Sequence, residues 1–156
     1  MSINLGIIDQ RVRKLAEDLA AEFARRLNIK NDSARQHSTA FVFLSVKTVL
    51  DLSDEETFDC LTDGGNDFGI DALHIGDVED CEFVVTLFQG KYKKKPTGDA
   101  NFPQSGVEKL VQAIEYLFDP DSIFTTNPQL TIEPTHKHGF VLKNKPLRLT
   151  ILKNNL

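Results

Sequence analysis

The sequence predicts a single α/β domain, and three observations carry that expectation. Apolar residues recur at helical spacing near the start of the chain and again around residue 110. Between these stretches lie two runs whose β-branched and aromatic content suits strands. The 156 residues, 40% hydrophobic and 26% charged, are enough for one sizeable core and exclude wholesale disorder. We therefore take residues 1–156 as one domain with its core at about 34–120 and a tail, 121–156, of weaker signal.

Ile8, Val12, Leu15, Leu19, Phe23 and Leu27 draw one apolar stripe along a first helix. Asn28 to Ser33 is a polar break, and Asp32 or Ser33 is placed to cap a second helix, Ala34 to Leu50. That helix is apolar nearly all round, which predicts a central, buried position. Ser53-Asp54-Glu55-Glu56 has the form of a capping box opening a short helix through Cys60. A glycine-rich loop, Asp63 to Gly69, leads into two strand candidates, about Gly69 to Ile75 and Glu82 to Tyr92, with an acidic turn between them. Val107, Leu110, Val111, Ile114, Leu117 and Phe118 predict a third amphipathic helix, ended by Asp119-Pro120. Phe140 to Leu142 and Leu147 to Leu152 are short strand candidates in the tail.

Composition narrows the function classes. No apolar run approaches the roughly 18 residues of a membrane span, and the N-terminus lacks the basic start and apolar core of a secretory signal. Two cysteines, Cys60 and Cys81, are too few for a disulfide framework and suit a reducing cytoplasm, each as a small buried hydrophobe. A net charge of −5 and a pI near 5.3 argue against a protein that coats nucleic acid. The charge is uneven, however: acids crowd Asp51 to Asp80, and Lys91, Lys93, Lys94 and Lys95 form a compact basic cluster suited to phosphates. A lysine run at a strand end also protects an exposed edge.

The chemistry-bearing residues gather if the two strands form an antiparallel hairpin centred on Asp80. Asp71 then lies opposite Gln89, with Cβ atoms roughly 5 Å apart, and Lys91 follows on the same face. A carboxylate, an amide oxygen and the Gly90 carbonyl are hard oxygen ligands suited to Mg²⁺. Lys91 is in reach to orient a water or stabilise developing charge, and Asp67 in the preceding loop is a further ligand candidate. Glycine at position 90 permits close approach of a metal or phosphate. Asp71 and Gln89 on opposite faces of the sheet would end this scheme.

These residues resemble the PD-(D/E)XK nuclease superfamily, in its Mrr-like Asp…Gln-x-Lys variant. Leu61 to Ala72, followed by Phe88-Gln89-Gly90-Lys91-Tyr92, is most similar to the N-terminal region of abortive phage infection (AIPR-type) proteins. The resemblance covers about residues 35 to 120. It implies a restriction-endonuclease-like fold, helices packed on a small mixed sheet, truncated at the C-terminus relative to the longer AIPR-type proteins. It also implies Mg²⁺- or Mn²⁺-dependent hydrolysis of DNA in defence against phage or foreign DNA. Asp71, Gln89 and Lys91 would be catalytic; Asp71, Gln89, Gly90 and Asp67 would hold metal; Lys93, Lys94 and Lys95 would meet DNA. Superfamily members add a glutamate from the first core helix, yet Ala34 to Leu50 contains none, which leaves Glu17 and Glu22 as substitutes.

The alternative is a catalytically idle, oligomeric module that binds nucleic acid or protein. A homo-oligomer is expected in either case, because the tail leaves a sheet edge to cover. His136 and His138 are read as a surface pair without metal partners. His37 stands alone, and His74 is structural or exposed. The phenylalanines Phe23, Phe41, Phe43, Phe58, Phe83, Phe88 and Phe118 are read as core and not as a base-stacking platform.

Overall fold

The computed structural model describes residues 3–62, 69–76, 84–93, 103–118 and 147–153. They form a mixed α/β structure of five helices and a small sheet. The apolar stripe of the first helix becomes two pieces, α1 (Ile3–Asp18) and α2 (Ala20–Arg26). The break at Leu19 is slight: Leu19 N–H donates to Leu15 O and Phe23 N–H to Leu19 O, both at 2.9 Å. α3 (Ser33–Leu50) starts as expected, with the Asp32 carboxylate accepting from Arg35 N at 2.9 Å. Its middle, Thr39 to Phe43 with Val46, is buried, whereas Val49 near its end is 46% exposed. The helix is thus central only along part of its length.

α4 (Asp54–Cys60) carries the complete capping box between Ser53 and Glu56. The Ser53 hydroxyl and backbone N–H hold the Glu56 carboxyl below its ordinary pKa. The cap's contribution is therefore present above the unfolded carboxylate pKa and lost as pH falls through the folded one. Cys60 on this helix is buried, and burial pushes its thiol to about 11, the inert small hydrophobe expected. Cys81 lies outside the described residues.

The sheet runs in the order β1-β2-β3, with β1 (Ala72–Ile75) antiparallel and β3 (Leu147–Lys153) parallel to the central β2 (Val85–Lys91). One face, through Ala72 and Phe88, joins a core built by α1 to α4. At its centre Phe23, Phe43 and Phe58 meet edge to face, with ring centroids 4.8 to 6.5 Å apart. The other face, through Val85 and Leu87, packs Ile70 against Leu110 and Ala113 of α5 (Gln104–Phe118). Strand alternation thus divides the apolar residues of β2 between two helical layers.

The tail differs from expectation in one respect. Leu147–Lys153 pairs with β2 of the same chain, so the side of β2 away from β1 is not left for another copy to cover. Residues 77–83, where the acidic turn is expected, lie outside the described residues, as do His136, His138, Phe140 to Leu142 and the side chain of Phe118. No helix among the described residues is long and apolar enough to cross a membrane.

Candidate active site at the end of the sheet

The register is the one that a turn centred on Asp80 requires: Ala72 pairs with Phe88, Leu73 with Leu87, His74 with Thr86 and Ile75 with Val85. Asp71, however, does not extend the ladder. Its N–H donates to Phe88 O at 2.8 Å and its carbonyl accepts from Thr62 N at 3.2 Å. The neighbouring Ile70 carbonyl accepts from Thr62 Oγ1 at 2.5 Å. The chain bends here because Thr62 draws these carbonyls out of the strand. Gly90 N–H, beyond the end of β1, then donates to Asp71 Oδ2 at 2.6 Å, so a carboxylate stands where the next strand carbonyl would be.

This bend corrects the same-face expectation. Gln89, 2% exposed, lies with Val85 and Leu87 on the face that packs on α5. The Asp71 carboxylate sits at the sheet end beside the Gly90 backbone and borders a cleft on the α3 side. The two side chains therefore do not share a face: Gln89 points to the α5 layer and the Asp71 carboxylate opens toward α3, which counts against one ion held by both as they stand. They flank Gly90 from two directions. Lys91 follows them at the strand end and is exposed, as is Lys93.

Two glycines shape this corner. Gly69 has φ +79°, and a Cβ there would stand 2.7 Å from Gln89 Nε2. Gly69→Ala is therefore expected to cost about 1–3 kcal/mol in urea denaturation, from the backbone conformation and the displaced amide together. An unchanged midpoint would mean that Gln89 is not held against this loop. Gly90 has a packing reason within the fold: a Cβ there would meet Val42 Cγ2 of α3 at 2.7 Å. The close approach is to the protein's own helix.

The cleft beside Asp71, about 130 Å³, is lined by Arg35, Ser38, Thr39, Val42, Leu61, Asp71 and Gly90. From α3, which carries no glutamate, Arg35 lines this cleft. Neither substitute reaches this cleft. Glu22 is engaged by Arg25 at 2.6 Å and Arg26 at 3.1 Å, and Glu17 is exposed on α1. Asp67, Lys94 and Lys95 lie outside the described residues.

Sequence reasoning missed a neighbouring feature. The His37 ring lies parallel to Tyr92, within 6° and with centroids 6.1 Å apart. Tyr92 Oη donates to Asp9, and burial together with Asp9 pushes its phenol to about 12. Asp9 is in turn paired with Arg13 at 2.8 Å. These rings, with Ser33, Ala34 and Ser38, line a second cleft of about 360 Å³. The only sequence signal was Tyr92 interleaved with lysines; its partner comes from another element.

The donor chemistry at the sheet end suits a hard cation, and one observation speaks for a missing partner. Gln89 Oε1 is a buried amide oxygen without a hydrogen bond among the described residues. Its desolvation costs about 1–3 kcal/mol when unmet. Against this, no three carboxylate, imidazole or thiol groups converge among the described residues, and Asp71 and Gln89 do not point to one position. The residue types fit Mg²⁺ or Mn²⁺; the arrangement described does not yet bring them together. The chain matches no family model, no curated protein and no solved structure.

Proposed function

We propose that this chain is a nuclease-type domain of restriction-endonuclease-like fold. It would bind DNA at the Asp71–Gly90 end of its sheet and hydrolyse phosphodiesters with Mg²⁺ or Mn²⁺, in defence against phage or foreign DNA. The observation that carries this reading is the β1–β2 register, which gathers Asp71 and Gln89-Gly90-Lys91 at one sheet end beside an unsatisfied buried oxygen. Asp71, Gln89 and the Gly90 carbonyl would hold the ion, with Asp67 in support. Bound there, the ion would supply Lewis-acid polarisation of the phosphate and an activated water. Lys91 would add positive charge at the attacked phosphate and orient the water. Lys93 to Lys95 would hold the flanking strand. Asp71 has to turn from Gly90 N–H toward Gln89 for this set to form.

A second reading is favoured by that same requirement and by the absence of a glutamate on α3. It is a catalytically idle module that binds nucleic acid, alone or as a homo-oligomer. A cleavage assay with Mn²⁺ on single- and double-stranded DNA separates the two. The hydrolytic reading expects metal-dependent cleavage that Gln89→Met removes. That variant should keep or slightly raise stability, by no more than about 1 kcal/mol, because it deletes an unsatisfied oxygen from an apolar site. Binding of DNA without cleavage under any divalent metal would leave the idle module.

A further inference from the structure

The two clefts beside the sheet end adjoin at Ser38, which lines both, and the pair makes a two-part trough. α3 supplies its floor at helical spacing, with Arg35, Ser38 and Thr39 toward Asp71, and Ser33, Ala34 and His37 toward Tyr92. β2 and the residue after it supply the wall, Gly90 and Tyr92 sharing a face two residues apart. One end of the trough is therefore lined by an arginine and by hydroxyl-bearing residues. The other offers an aromatic pair whose orientation is set before any ligand arrives. Tyr92 is fixed through its hydroxyl by Asp9 and packs on Phe41 at a centroid distance of 5.9 Å. His37 Nδ1 is held by the Ser33 carbonyl one turn back.

A phosphate-binding end joined to a planar stacking end is the chemistry of a nucleotide. Guanidinium and hydroxyl donors suit phosphate oxygens, and aromatic faces take any base by stacking. The larger cleft, about 360 Å³, lies within the usual range of small-ligand sites. A base paired inside a duplex presents its edges and not its face, so the aromatic end selects an unstacked one.

We propose that this trough binds one nucleotide of a single-stranded or locally opened DNA segment. Its phosphate lies at Arg35 and Ser38, next to Asp71, and its base lies against the His37–Tyr92 pair. The proposal deepens the nuclease reading by naming the form of the substrate, and it rests on that reading for the identity of the ligand as nucleic acid. The phosphate that the trough holds lies on the α3 side of Gly90, so it is a neighbour along the strand of the attacked phosphate, which Gln89 and Lys91 would meet on the other side.

The test is fluorescence anisotropy with a labelled ten-residue oligothymidylate in EDTA, so that no cleavage occurs, repeated over a salt series. The unmodified protein should bind this strand more tightly than a duplex of equal length. Arg35→Gln, on an exposed residue, should weaken binding about tenfold and lower the salt slope by about 0.7, the value for one phosphate contact on a single strand. His37→Ala should weaken binding about tenfold with the slope unchanged, and Tyr92→Phe should retain most of it. Melting curves establish that each variant is folded. Wild-type affinity and slope in both Arg35→Gln and His37→Ala, preference for duplex, or no binding at all would overturn the trough. If these variants lose binding and the parent cleaves no DNA with Mn²⁺, the trough stands and the hydrolytic reading fails. If the parent cleaves and both variants bind normally, the reverse holds.

Discussion

Asp71→Asn is expected to lower Mn²⁺-dependent DNA cleavage by on the order of 100- to 1,000-fold, the usual loss when one charged stabiliser is removed from a reacting centre. The asparagine oxygen can still accept from Gly90 N–H, so the sheet end keeps its cap and stability should change little. Asp71→Ala has a second consequence. It orphans the Gly90 N–H that now donates to Oδ2 at 2.6 Å, which costs about 1–3 kcal/mol. The pair of variants therefore separates the two roles of one side chain. Isothermal titration with Mn²⁺ should show no binding for either. Gln89→Glu should bind Mn²⁺ more tightly than the parent without DNA, because a second carboxylate adds attraction at close range. Since position 89 is 2% exposed, that carboxyl has a raised pKa in the metal-free fold. The variant is then most stable below the unfolded carboxylate pKa and loses stability as pH rises through the folded one. Mn²⁺ binding by Asp71→Ala equal to the parent's would leave Asp71 as a strand cap only.

Phe43→Ala should have the largest effect on the fold itself, about 3–5 kcal/mol. Its ring is fully buried and touches both Phe23 and Phe58, with centroids 6.5 and 4.8 Å away. It therefore joins α2, α3 and α4 through one side chain. Domains of this size hold about 5–15 kcal/mol in all, so the variant should be near its unfolding limit at room temperature. Val49→Ala on the same helix, 46% exposed, should stay within about 0.5 kcal/mol. Guanidinium titrations of the two measure the contrast. A loss below about 2 kcal/mol for Phe43→Ala would mean that the neighbouring rings close the cavity.

Much of the fold was legible because its determinants are local. Period-3.6 stripes placed the helices, and Asp32 and the Ser53–Glu56 box marked two helix starts. The β-branched run became β2, and its register with β1 is the one expected from symmetry about Asp80. Those features depend on residues within a few positions of each other, where spacing and geometry are equivalent.

What the tertiary structure decided lies where distant segments compete for the same hydrogen bonds. Thr62 draws the carbonyls of Ile70 and Asp71 out of the strand, and alternation no longer says where the Asp71 carboxylate points. Gly90 is small to admit Val42 of α3, and no pattern within β2 carries that information. Arg35 and His37, a helix turn apart from anything notable in the sequence, become the floor of a trough only when α3 lies along the end of β2. The parallel pairing of Leu147–Lys153 with β2 likewise joins residues some sixty positions apart. Sequence by itself determined which chemical groups are present and near which element ends they fall. Long-range packing decided their directions, because a side chain's orientation at a strand end follows from whichever neighbour takes the backbone's last hydrogen bonds.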